Sequence, residues 1–128
     1  MKKRLLPILL SFSLCPLTQG CFFHNLCGNN PISEAVSPDG KYKAVLFQRD
    51  CGATTDFSTQ ISILKKDESL PNSGANTFAT GNSQNVRYHW LDNDQLVIET
   101  DKTERIYLAK EKVRVGFWGR KKIFVLYQ

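Results

Sequence analysis

The chain has 128 residues, 41% hydrophobic and 23% charged, a balance that belongs to globular proteins and excludes a disordered one. Its formal net charge is +5, but Lys2, Lys3 and Arg4 crowd the start; of 17 basic side chains, 14 remain beyond those three against 12 acidic ones, a net +2. That residue of charge is too small for the concentrated basic face of a nucleic-acid binder, so no nucleic acid is expected among the partners.

Residues 1–20 read as an export signal peptide. Lys2, Lys3 and Arg4 form a positive head, residues 5–17 are mostly apolar, and Thr18-Gln19-Gly20 puts small side chains where a signal peptidase inspects them. Spanning a membrane takes about 20 apolar residues. This run is shorter and is interrupted by Pro7 and Pro16, which leaves an uncleaved anchor as the alternative. Residues 18–21 resemble a bacterial lipobox, Leu-Ala-Gly-Cys: Gly20 and Cys21 agree with it, and Thr18 and Gln19 depart from it. The resemblance implies lipidation of Cys21 and a bacterial cell envelope. Phe22, where inner-membrane retention calls for Asp, implies the outer membrane of a Gram-negative host. Several acyl chains anchor stably, whereas one binds only marginally. The alternative is plain cleavage at the same bond and a soluble periplasmic or secreted protein.

Four cysteines are present, and Cys15 lies inside the signal. With Cys21 lipidated, Cys27 and Cys51 remain as an even pair in an oxidising compartment, where a disulfide is the expected fate. Closing a loop of that size stabilises a domain by about 3 kcal/mol in the chain-entropy model. A zinc site from His24, Cys27, Cys51 and His89 is the alternative; it lacks a Cys-x-x-Cys pair and any standard zinc spacing.

Residues 21–31 read as a tether, with Asn25, Gly28, Asn29, Asn30 and Pro31 as turn formers. From residue 32 to 128 a single β domain is expected, because the ordered stretches alternate with period two. Residues 32–36 form a brief strand. Ser37-Pro38-Asp39-Gly40 is a type I turn, and residues 41–49 put Tyr42, Ala44 and Leu46 on one face against Val45 and Phe47 on the other. Phe57, Thr59, Ile61 and Ile63 mark the next strand. Residues 65–84 are polar and turn-rich, a long loop with one short strand at 76–79; such a loop is either functional or mobile. Val86, Tyr88 and Trp90 alternate, Leu91-Asp92-Asn93-Asp94 is a turn, and Leu96, Ile98 and Thr100 return. Ile106 and Leu108, then Val113, Val115 and Phe117, then residues 123–127 supply the last strands, with a bend allowed at Gly116 and Gly119. The reading is all-β: a small antiparallel sheet or sandwich of roughly seven or eight strands.

The stretch from Ser37-Pro38-Asp39-Gly40 into residues 41–47 resembles a blade edge of TolB-like and WD40-like propellers, and residues 90–98 look like a degenerate second copy. A propeller needs at least four blades. The residues beyond the signal hold two at most, so a closed propeller is excluded. The longer string through Gln48-Arg49-Asp50-Cys51-Gly52-Ala53-Thr54-Thr55-Asp56-Phe57-Ser58-Thr59-Gln60 resembles a family of small bacterial envelope lipoproteins with no activity assigned. The resemblance covers residues 27–64 best and implies compartment and fold, not function.

For chemistry, Cys51 as nucleophile with His89 as base and Asp50 or Asp92 as orienter offers the residue types of a thiol enzyme, but catalysis also needs them within hydrogen-bond reach. Residues 50–55 read instead as a tight loop in which Asp50 and Thr54 bond local backbone and Gly52 takes positive φ. Asp92, Asn93 and Asp94 lack the spacing of a calcium loop. Phe117 and Trp118, beside Arg120, Lys121 and Lys122, form a candidate partner or membrane contact, against the plainer reading of a solvated strand edge. The expectation is a non-enzymatic envelope lipoprotein, a binding or structural module without cofactor or metal, meeting an envelope protein or glycan. The alternative is a small secreted thiol enzyme or hydrolase using Cys51 and His89.

Overall fold

The Ser37–Gly40 turn closes as its residues dictate. The Gly40 N–H donates to the Ser37 carbonyl at 2.8 Å, and the Ser37 hydroxyl donates to Asp39 Oδ1 at 2.7 Å. Gly40 takes φ 72°, which a side chain would resist. The computed structural model describes residues 26–128; the signal, Cys21, Phe22 and His24 lie outside the described residues.

Nine strands follow in order among these residues: β1 (Gly28–Val36), β2 (Tyr42–Asp50), β3 (Ser58–Lys65), β4 (Phe78–Thr80), β5 (Arg87–Trp90), β6 (Gln95–Glu99), β7 (Ile106–Ala109), β8 (Lys112–Val115) and β9 (Lys121–Tyr127). They build two sheets, ordered β1-β2-β3-β4-β7 and β5-β6-β9-β8. This is an all-β sandwich without a closed barrel or propeller. Among the described residues no helix is long and apolar enough to cross a membrane.

Three features differ from the sequence reading. Residues 28–31 are strand, not tether: Gly28 pairs with Asp50 and Pro31 with Phe47. Turn-forming residues join a strand here because β1 is an edge strand, where a proline breaks no ladder, and a bulge between Pro31 and Ser33 absorbs the irregularity. Arg49 Nη1 also holds Asn29 Oδ1 at 2.7 Å. Secondly, the second sheet is mixed, since β9 runs parallel to β6, with Leu96 opposite Val125. Thirdly, residues 66–77 form a strap tied to the first sheet by side-chain hydrogen bonds.

The strap explains a burial pattern that alternation alone does not. Ala44 and Leu46 of β2, Ile61 and Ile63 of β3 and Phe78 face the second sheet's Leu96, Ile98, Val113, Val115, Ile123 and Val125. Yet Val45 and Phe47, on the other face of β2, are also buried, Phe47 completely. They stand in rows with Ser62 and Gln60. Those polar side chains take the strap's backbone: the Ala75 N–H donates to Gln60 Oε1 at 2.7 Å and the Asn76 N–H to Ser62 Oγ at 3.2 Å. Asn29 Nδ2 donates to the Pro71 and Ser73 carbonyls, and Asn72 Nδ2 to the Cys27 carbonyl. Asn76 uses its side-chain amide as a strand partner, accepting from the Ile63 N–H at 2.9 Å and donating to the Ile63 carbonyl at 2.8 Å. A run of polar residues thus satisfies backbone groups on the sheet face where Phe47 lies buried, and that burial contributes about 2 kcal/mol.

Candidate functional site

The sandwich has two unlike ends. At one end Cys27 and Cys51 are joined, their sulfurs 2.09 Å apart, and the described chain begins. At the other end lie the Ser37–Gly40 turn, the start of β2, the end of β3 and the β8–β9 connection. Asn93 Oδ1 accepts from the Asp39 N–H at 2.8 Å, which ties the two sheets together there, and Lys121 pairs with Asp94 within the second sheet.

The β8–β9 connection is a one-turn 3₁₀ element, Phe117–Gly119, closed by the Gly119 N–H on the Gly116 carbonyl at 3.0 Å. Gly116 sits at φ 81°, ψ −170°, a region only glycine enters freely. A side chain would also crowd its neighbour: a Cβ at 116 would lie 2.7 Å from the Tyr42 hydroxyl, so the phenol would have to shift. Trp118 adopts φ 56°, ψ 25°, alone among the described non-glycine residues in having positive φ. Left-handed backbone costs a residue with a Cβ about 1–2 kcal/mol. Burial does not offset that here, for Trp118 is 82% exposed and Phe117 68%. The two rings meet edge to face, centroids 5.6 Å apart at 88°. An exposed aromatic pair on strained backbone points to function.

Beside this turn an open cleft of about 900 Å³ runs between the sheets, with Tyr42 and Gly116 in its wall. Four cations line it: Lys41, Lys65, Lys66 and Arg114. The ion pairs among the described residues are Lys43–Glu34 at 3.3 Å, Arg87–Glu99 at 3.1 Å and Lys121–Asp94, so none of the four is paired. The cleft's two carboxylates are Asp67 and Glu68, and Glu68 Oε2 is turned onto the Lys65 N–H at 3.3 Å. The aromatic turn leaves this wall at Gly116, and its Gly119 lies close to Arg114, where an added Cβ would sit 3.5 Å from Arg114 Cβ. Nearby acids are already engaged. The Ser37 hydroxyl, then the Lys41 N–H, holds the Asp39 carboxyl below its ordinary range. The hydrogen bond to Asp94 raises Lys121.

The other sequence candidates do not converge. Cys51 is bonded to Cys27, while His89 is exposed on the outer face of the second sheet, opposite Val97. The structure does not bring Cys51 and His89 together. Asp50 accepts from the Gly52 N–H at 2.9 Å and Gly52 takes φ 107°, as the tight loop requires; the hydroxyl that bonds backbone is Thr55, not Thr54. Asp92 accepts from the Asp94 N–H and from Gln95 Nε2, both at 2.7 Å, so its carboxylate serves the turn. No group of three or more metal-ligating side chains forms among the described residues. Phe117 and Trp118 were legible in the sequence, whereas the four cations were not, because they come from three separate segments. No family model, curated protein or solved structure matches this chain.

Proposed function

We propose that this chain is a non-enzymatic cell-envelope lipoprotein, tethered through lipid on Cys21, whose sandwich presents a binding end to an envelope protein or glycan. The carrying observation is the opposition of the two ends. The segment from Cys21 enters at the Cys27–Cys51 staple, while Phe117 and Trp118 project beside Tyr42, where β1 ends. Gly28 and Val36 bound a nine-residue strand, roughly 26 Å long. The six peptide units from Cys21 to Cys27 span at most about 21 Å. A domain standing on such a tether holds its aromatic turn away from the anchoring surface.

The pairing of Cys27 with Cys51 supports an oxidising compartment, and the separation of Cys51 from His89 supports binding over thiol catalysis. Replacing Cys21 by Ala tests the anchor. Loss of the lipid mass and release from membranes are expected; a chain retained on membranes without lipid refutes it.

A further inference from the structure

We infer that the cleft and the Phe117–Trp118 turn together form a binding site for an acidic glycan, a saccharide bearing carboxylates along its chain. This rests on the reading of an envelope binding module and names the chemistry of its ligand. Lys41, Lys65, Lys66 and, on the neighbouring strand, Arg114 line the cleft without ion-pair partners among the described residues; its lining carboxylates are Asp67 and Glu68, the latter turned onto a backbone amide, and Asp39 lies near Lys41. The cleft's lining therefore carries more positive than negative charge over a volume that accepts a few sugar rings. Charge alone would take any polyanion. The second feature selects: an exposed indole, braced by Phe117 on the turn that leaves the cleft wall at Gly116, offers an apolar platform for the C–H face of a sugar while the cations of the cleft meet its carboxylates. The strained Trp118 backbone keeps that platform outside the core, where folding alone would not leave it. A bilayer is the less suited occupant, because the tether enters at the opposite end of β1.

The test is calorimetric titration of the full chain in phosphatidylcholine nanodiscs. The probes are hexagalacturonate, neutral maltohexaose and soluble dihexanoylphosphatidylglycerol. Hexagalacturonate alone is expected to bind, more weakly as salt rises. The Lys65→Gln/Lys66→Gln pair and Trp118→Ala should each weaken it about tenfold. Lys102→Gln, at the staple end, should change nothing. All substituted positions are exposed, and matching thermal unfolding confirms that the variants fold. No binding of hexagalacturonate, equal binding of maltohexaose, indifference to the variants, or preference for the lipid headgroup would each overturn the inference. A chain that stays out of the discs brings down the lipid anchor instead, and the same titration in free solution still decides the cleft.

Discussion

The hydroxyl of Tyr42 occupies the space that a side chain at Gly116 would need, with 2.7 Å between Oη and the would-be Cβ. One residue opens β2 and the other leaves β8, so this contact bears on how the two sheets meet at the end that carries the aromatic turn. Gly116→Ala should destabilise the domain by about 2–3 kcal/mol, from strain at φ 81° and the steric overlap. Adding Tyr42→Phe removes the overlapping oxygen and leaves ring carbons at 3.6–3.7 Å, ordinary contact distance. The double variant should recover the steric share but not the backbone share. Urea unfolding of the two singles and the double reads this, and simple additivity would show that the contact is idle.

Trp118 should behave in the opposite sense. Trp118→Gly relieves the left-handed strain and gives up almost no buried surface, so stability should rise by about 1 kcal/mol. A fall in the urea midpoint would mean the indole packs in solution. Stability gained where binding is lost marks a residue kept for its ligand.

The staple should matter through the unfolded chain and through β1. Converting both Cys27 and Cys51 to Ser should lower stability by about 3 kcal/mol. Hydrogen exchange should then speed first at residues 28–31, the segment that turn-forming side chains equip poorly for a strand. Unchanged exchange there would place the effect elsewhere.

Phe47→Ala tests the strap. Phe47 is fully buried on the face away from the main core, and truncation should cost about 3–4 kcal/mol. A value under about 1 kcal/mol, as for surface sites, would mean that residues 66–77 do not roof it.

Alkaline pH should expose the two half-buried phenols. Burial, then the charge of Glu111, pushes Tyr127 up to about 12 from 10.0, while its hydroxyl donates to the Lys110 carbonyl at 2.8 Å. Burial also raises Tyr88. A raised folded value means the native state keeps a proton that the unfolded chain releases. The contribution from Tyr127 is therefore intact below pH 10 and is lost as pH rises toward 12. Phenolate absorbance should show Tyr127 titrating last, and Tyr127→Phe should flatten the stability profile over that window. A single ordinary titration of all four tyrosines would contradict the packing.

The strand pattern was readable wherever one face of a strand meets the core. Tyr88 and Trp90 alternate with exposed Arg87 and His89 because the other side of β5 is solvent, whereas β6 is apolar on both faces, with Val97 as buried as Leu96 and Ile98. Residues 28–31 were hidden because their pairing with Asp50–Phe47 depends on contacts across the chain, among them Asn29 reaching Arg49, that do not mark the local composition. The strap was hidden for a related reason: Asn76 acts as a strand partner through its side chain, which no periodicity records. The parallel contact of β6 with β9 was invisible because it joins segments some 30 residues apart through no local turn. Of the candidate site, the aromatics announced themselves beside Gly116 and Gly119. Lys41, Lys65, Lys66 and Arg114 needed the fold to bring them to one cleft.

The position of β9 also sets the timetable of assembly. It is the last of the described strands to be synthesised, yet it lies in the interior of its sheet, bonded to β6 on one side and β8 on the other. Until residue 127 is available, β5–β6 and β8 have no shared partner, and the apolar face of β2 and β3 stands uncovered. A nascent chain halted at residue 120 should accordingly be greasy, protease-sensitive and dependent on a holding chaperone, and it should snap shut only when the final seven-residue strand arrives.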